Sequence, residues 1–459
     1  MSEQPLRTRR SRLGRVTAGI TLAIAVVTAG VVGFSANRAD ADPNGELKYP
    51  AGATATRFTG QAFDTCAAPS VSTMRAWLDS PYRAIGIYIS GKLRACRQPN
   101  LTASWVREVS AMGWKLIPID VGRQAPCTKF SLRISSNSSE ARQQGIAAGR
   151  SAVSAARALG ILPGSALYSD IENYDSRDKI CSGDVHAYLN GWTRALHSAG
   201  YLSGVYGNLQ PLVDDLVDAQ RTANSGKGRE GTIRPDMLWN AEWDRTPKLT
   251  GWSGVESHLW AAQQRIKQYR GDHRATYGGV PLTIDSNVVD AAVATVAYSV
   301  ATPTGVDLVS KVAPSEAAAG RSPGARLDLV CVTHSAISSL GAWYQTADAT
   351  WIPKAALDGN STVARFADRI PTCATPYQVG PGLKPLRSAP TETADSPGTL
   401  AGGTVAWIVC EQPGSVGGAP GFWQRLETGQ WVSGVDLLRS SDRADSPAIP
   451  ACPFSAGLT

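Results

Sequence analysis

The sequence predicts an α/β protein in which a closed (β/α)8 barrel of the TIM type is followed by two small all-β modules. Three observations carry this expectation. From Arg57 to about Ser299, short apolar runs alternate with amphipathic helical stretches, the pattern of repeated βα units around a parallel sheet. Acidic residues recur where those apolar runs end. The C-terminal region repeats itself at an offset of 79 to 80 residues.

The chain has 459 residues, too many for one ordinary core. Its N-terminus carries Arg7, Arg9, Arg10, Arg12 and Arg15, a weakly apolar run from Val16 to Phe34, and then Ala39-Asp40-Ala41. A basic stretch, an apolar stretch and an A-x-A site read as a secretory signal over 1–41. Thr8-Arg9-Arg10-Ser11-Arg12-Leu13 resembles a bacterial twin-arginine export motif, with Arg12 where an aromatic is usual. An uncleaved anchor is the alternative, since about 19 apolar residues can just span a bilayer; the low Leu content and the Ala-x-Ala favour cleavage. Without residues 1–41 the formal charge falls from +7 to about +3. The remaining positive charge is scattered, which argues against nucleic-acid binding, and no later stretch is apolar enough for a membrane span. The expected product is secreted or held at the cell surface.

Eight strands are expected, at 58–63, 84–89, 115–121, 166–171, 203–206, 237–241, 258–263 and 282–284, with helices at 101–112, 140–159 and 185–199. The fourth strand is the most informative. Ala166-Leu-Tyr-Ser-Asp-Ile-Glu172 is an apolar run ending in acids spaced i, i+2, and alternation along a strand points Asp170 and Glu172 to one side. Crowded carboxyls disfavour joint ionisation, and cleavage of a glycosidic bond needs one carboxyl protonated beside another that is ionised. Active sites of such barrels form at the C-terminal strand ends. That rule gathers Asp64, Asp120, Asp170, Glu172, Glu242 and Asp285 on one rim, with Tyr88, Tyr168, Tyr206, Trp239, Trp243 and Tyr269 at the same level. Acids among flat apolar rings suit a sugar better than a phosphate.

The eight cysteines (Cys66, Cys96, Cys127, Cys181, Cys331, Cys373, Cys410 and Cys452) form no Cys-x-x-Cys, and an even count in an exported chain points to disulfides. Cys66 and Cys96 follow strands one and two, Cys127 and Cys181 strands three and four, so neighbouring loops favour pairing within each couple. The five histidines lack ligand spacing, so neither a metal nor another cofactor is expected.

Residues 300–325 are small and polar and read as a linker. Beyond it, Cys331, Gly341-x-Trp343, Trp351, Leu357 and Ile370-Pro-x-Cys373 recur as Cys410, Gly421-x-Trp423, Trp431, Leu437 and Ile449-Pro-x-Cys452. The Cys-to-Cys interval is 42 in both copies. Each copy therefore reads as a β unit closed by its own disulfide, at 326–373 and 404–453, with a second linker at 374–403. Phe422 to Val432 forms a hairpin pattern with paired Trp, similar to bacterial Src-homology-3-like modules. That resemblance implies wall or peptide binding; a plain spacer is the alternative.

Residues 57–299 resemble the secreted actinobacterial glycoside-hydrolase-like domain related to the glycoside hydrolase family 25 lysozymes. The resemblance rests on Gly60-Gln-Ala-Phe-Asp64-Thr-Cys, Ile85-Gly-Ile-Tyr-Ile-Ser-Gly91, Gly113-Trp-Lys-Leu-Ile-Pro-Ile119, Gly122-Arg-Gln-Ala-Pro-Cys127, Tyr168-Ser-Asp-Ile-Glu172, Gly200-Tyr-Leu-Ser-Gly-Val-Tyr-Gly207, Gln268-Tyr269 and Ile284-Asp-Ser-Asn287. It implies cleavage of the N-acetylmuramyl to N-acetylglucosaminyl bond of peptidoglycan. By that similarity Glu172 is the general acid, Asp170 stabilises developing positive charge or the acetamido group, and Asp64 and Asp285 tune and position. Tyr88, Asp120, Tyr206, Trp239, Glu242, Trp243 and Tyr269 are the candidates for substrate binding. Two features depart from the lysozyme pattern: Lys267 stands where Trp is commoner, and Asp120 adds an acid that alters the charge balance or binds Arg123. The competing readings are a catalytically silent glycan-binding or envelope-organising protein and a structural adhesin, the second of which leaves the acids unexplained.

Overall fold

The computed structural model describes residues 55–438, apart from 225–233, 261–262, 303, 310–316, 335–340 and 367, together with residues 449 and 452. The expected signal at 1–41 lies outside the described residues. Eight strands close into a barrel in the order β1 to β8: β1 (Thr56–Asp64), β2 (Tyr82–Ser90), β3 (Lys115–Asp120), β4 (Ala166–Asp170), β5 (Leu202–Asn208), β6 (Met237–Ala241), β7 (Arg265–Tyr277) and β8 (Val280–Val293). Between them lie α1 (Val71–Ala76), α2 (Ala103–Ala111), α3 (Ser138–Ala158), α4 (Lys179–Ser198) and α5 (Asp214–Asn224). The caps explain several starts: Ser70, Thr102, Asn137 and Asp178 each accept a backbone N–H of the first turn that has no intrahelical partner.

Strands β1 to β7 run parallel, but β8 is antiparallel to both β7 and β1. The expectation of eight parallel strands is corrected in this one. No helix intervenes after β7, because Gly278 and Gly279, with φ of +53° and +75°, supply the left-handed pair that a two-residue hairpin turn requires. The seventh strand starts at Arg265, beyond the expected 258–263, of which residues 261–262 lie outside the described residues. Outward of the rim, residues 270–283 of the hairpin alternate half-buried and exposed positions, which disguised β7 as loop in a search for apolar runs.

The barrel is filled by side chains such as Ile117, Tyr168, Leu202, Met237, Trp239 and Val289. Between sheet and helices, Trp77, Trp105, Trp114, Trp192 and Leu196 extend the apolar core. Helices α3 and α4 touch backbone to backbone. A Cβ on Gly145 would lie 1.9 Å from the Tyr188 carbonyl oxygen, and one on Gly191 would lie 2.0 Å from that of Arg142.

After the barrel come three sheets, of six, five and two strands. One contains β9 (Tyr298–Ala301), β10 (Val306–Val309), β11 (Ala317–Arg321), β12 (Arg326–His334), β13 (Ala342–Thr346) and β14 (Trp351–Pro353), followed by α6 (Ser361–Phe366). The other elements are β15 (Thr375–Val379), β16 (Leu383–Leu386), β17 (Gly398–Ala401), β18 (Val405–Val416), β19 (Ala419–Leu426), β20 (Trp431–Ser433) and β21 (Leu437–Leu438). The segments that read as linkers thus hold strands β9 to β11 and β15 to β17. Their pairings correspond: β9 joins β12 as β15 joins β18, β10 and β11 form a hairpin as β16 and β17 do, and Val309 bridges Trp351 as Arg387 bridges Trp431. The internal duplication therefore takes in the small-residue stretches, whose composition hid short strands.

The cysteines pair as expected: Cys66 with Cys96, Cys127 with Cys181, Cys331 with Cys373 and Cys410 with Cys452. The sheets pack on the barrel at the end where β1 begins. Trp407 and Val405 join the barrel's interior cluster, the Ala55 N–H donates to the Ala374 carbonyl, and the buried Arg57 lies over Trp407 and pairs with Glu427. Among the described residues no helix is long and apolar enough to cross a membrane.

Candidate active site

Asp64, Asp120 and Asp170 are the last residues of β1, β3 and β4, and Glu172 lies two residues past β4. Asp285 sits inside β8, directly opposite Asp64 in the antiparallel register, so the reversed strand still delivers its acid to the same rim. Asp64, Asp170, Glu172 and Asp285 together line a cavity of about 500 Å³. A second hollow of about 680 Å³, walled by Tyr206, Asn208, Gln210 and Glu242, adjoins it, and Glu172 and Trp243 line both. The acid-rich lobe and the amide-rich lobe thus meet at Glu172.

A buried polar network fixes the acids. The Asp64 carboxylate accepts from the Tyr88 hydroxyl at 3.2 Å, Gln268 Nε2 at 3.0 Å and Asn287 Nδ2 at 2.8 Å. Gln268 Nε2 also donates to Asp285 at 3.3 Å, while its Oε1 accepts from Tyr206 at 3.0 Å and from Trp243 Nε1 at 2.8 Å. Asp285 further accepts the backbone N–H of Asp272. The fully buried Gln124 clamps the D-x-E segment: its Nε2 donates to the Asp170 carbonyl at 2.9 Å and its Oε1 accepts from the Glu172 N–H at 2.7 Å. The Glu172 carboxyl is half-buried and takes no protein hydrogen bond among the described residues.

Burial raises the proton affinity of the whole group, and repulsion within it adds to the rise at Asp64 and Asp170. Burial first, then the charge of Asp285, pushes Asp64 up to about 7 in spite of its three donors. Burial followed by Glu172, Asp64 and Asp120 holds Asp170 well above the usual carboxylate range. Burial alone raises Glu172, and it is the leading cause for Asp285. One Asp170 oxygen is buried without a hydrogen-bond partner, as befits a carboxyl kept uncharged or awaiting a ligand.

The other candidates divide. Tyr88, Tyr206, Glu242 and Trp243 reach the lobes, and Trp243 is 59 % exposed with its ring flat against Gly271. Three do not. Asp120 is buried, accepts from Ser90, and is pushed up to about 6 by burial; Arg123 turns away to the Arg133 carbonyl. Trp239 lies inside the barrel, donating to Asn287 at 2.8 Å, and Tyr269 donates to Gln61 at 3.0 Å outside the lobes. Tyr168, grouped with them at the rim, is likewise core, its hydroxyl donating to the Ala292 carbonyl. Glu242, although at the second lobe, is paired with Lys267, which also holds Asp244. Sequence reasoning did not single out Arg94 or Asp272, and Gln124, Gln268 and Asn287 stood within the quoted segments without a role. Asn287 had a signal, since it stands i+2 from Asp285 on one strand face. Among the described residues no group of three or more His, Cys, Asp or Glu is arranged to hold a metal ion.

Residues 75–289 match the family model of the Rv2525c-like, glycoside hydrolase-like domain. No curated protein matches the sequence. Among solved structures, the chain is similar to an uncharacterized B. stearothermophilus protein, at 20 % identity over 50 % of this chain and 95 % of that one, with a TM-score of 0.35. It is also similar to the Mycobacterium tuberculosis Tat-secreted protein Rv2525c, at 19 % identity over 50 % and 95 %, with a TM-score of 0.33. The Clostridium perfringens spore cortex lytic enzyme SleM aligns over 81 % of this chain and 95 % of its own at 11 % identity, with a TM-score of 0.35.

Proposed function

We propose that this is an exported glycosidase acting on cell-wall peptidoglycan, a muramidase-type enzyme whose C-terminal sheets are Src-homology-3-like modules that hold it at the wall. One observation carries the reading: four carboxyls from β1, the end of β4 and β8 line one cavity, with burial raising their hold on protons. Glu172, protonated, half-buried and without a protein hydrogen bond among the described residues, donates its proton to the leaving oxygen. An ionised neighbour offsets the positive charge that develops on the sugar ring, and the two lobes on either side of Glu172 receive the sugars flanking the bond. Export accords with the basic-apolar N-terminus and with eight cysteines joined in four disulfides.

A silent glycan-binding protein is the second reading, favoured by the three donors that tie Asp64 into a structural network. The test is release of new reducing ends from peptidoglycan by residues 42–459 and by Glu172→Gln. The enzyme reading expects release to fall at least 10²-fold in the variant. Equal release by both proteins sinks it, and binding without release by either promotes the second reading.

A further inference from the structure

Among the described residues the acid-lined lobe contains a single cation, and it lies in no salt bridge. Arg94 stands on the β2–α2 loop and lines the same cavity as Asp64, Asp170, Glu172, Asp272 and Asp285. Its Nε donates to the Gly91 carbonyl at 3.0 Å and its Nη1 to the Tyr88 carbonyl at 3.2 Å. Among the described residues it makes no salt bridge, although its charge acts on the buried Asp120, and the side chain is exposed. The loop is held in place: Leu93 N–H donates to the Val121 carbonyl at 3.0 Å, Gly91 (φ +95°) sits so close to Val121 that a Cβ would lie 2.1 Å from its oxygen, and Cys66–Cys96 closes the loop two residues beyond Arg94. Neither lobe offers a second Lys or Arg.

A neutral sugar offers this guanidinium no opposite charge, whereas an anionic sugar entering a wall of carboxyls meets repulsion unless a cation receives it. The free arm of a guanidinium is suited to a carboxylate. We infer that Arg94 is the specificity-determining residue of this cavity and that it selects a glycan bearing a carboxylate on the bound ring. The inference rests on the proposed glycan site and narrows its substrate class. In peptidoglycan the lactyl carboxyl is an uncharged amide while a stem peptide is attached. The preferred strand is then one already stripped by hydrolysis of that amide, the class of reaction that supplies this substrate.

The test measures binding by calorimetry on Glu172→Gln, in which turnover does not interfere. The probes are a peptide-free tetrasaccharide of alternating N-acetylglucosamine and N-acetylmuramic acid, the same sugar with its carboxyls converted to methylamides, chitotetraose, and tetragalacturonate. The expected result is about tenfold tighter binding of the free-acid sugar than of the methylamide or chitotetraose. Arg94→Gln should abolish that difference, and Arg94→Lys should retain part of it. Tight binding of tetragalacturonate in addition would make the carboxylate, rather than the lactyl ether, the recognised feature. Equal binding of free acid and methylamide, or a preference that survives Arg94→Gln, overturns the inference and leaves the glycan site standing. Failure of every sugar to bind removes the glycan site and the inference with it.

Discussion

Asp170 shows how far a single residue can set a property of the whole chain. Its carboxyl is buried, one oxygen has no partner, and its proton affinity is raised by burial and by Glu172, Asp64 and Asp120. A folded-state pKa above the unfolded value of about 3.9 means that the folded protein is favoured below pH 4 and loses stability as pH rises toward the raised value. Asp170→Asn removes this dependence. The variant should match the native chain near pH 4 and exceed it by about 1–3 kcal/mol at pH 8, as read by urea unfolding at both values. A gain of the same size at both pH values would show that repacking, not ionisation, is responsible. The pair Asp170 and Glu172 was legible because strand alternation is a strict rule. Gln124 was not, because nothing local marks a glutamine whose amide will meet a backbone 46 residues away. Glu242 was legible as a rim residue but not as the partner of Lys267, since ion pairs across strands depend on register.

At the level of elements, strands with continuous apolar runs and helices with clear caps were readable, and β6 coincides with its expected span. The β7–β8 hairpin was not, because half of it projects past the barrel and carries exposed residues. The α3–α4 contact offers a test in which local preference and packing disagree. Helix propensity alone favours Gly145→Ala by about 1 kcal/mol. The 1.9 Å approach to the Tyr188 carbonyl demands that the helices part, which costs about 2–3 kcal/mol. Urea denaturation should therefore show a net loss of about 1–2 kcal/mol; a gain would mean that the two backbones do not lie in contact.

On the scale of the whole molecule, the duplication was visible as a fixed spacing of Cys and Trp, yet its true extent was concealed by segments poor in apolar residues. Those segments became short strands, and the sheet of β18 and β19 is anchored beneath the barrel through Arg57, Trp407 and Glu427. Arg57→Ala should loosen this attachment and raise the rate of limited proteolysis within 298–438 about tenfold, with sugar binding at the cavity unchanged. An unaltered digestion pattern would assign the attachment to the apolar contacts alone. The reversal of β8 has a further result for access. A final strand running with the others would have brought the chain out at the mouth, where two appended modules would crowd the opening. Running the other way, it carries the chain to the floor, so the modules do not stand over the mouth, which under the proposed function leaves room for a polymer much longer than the hollow.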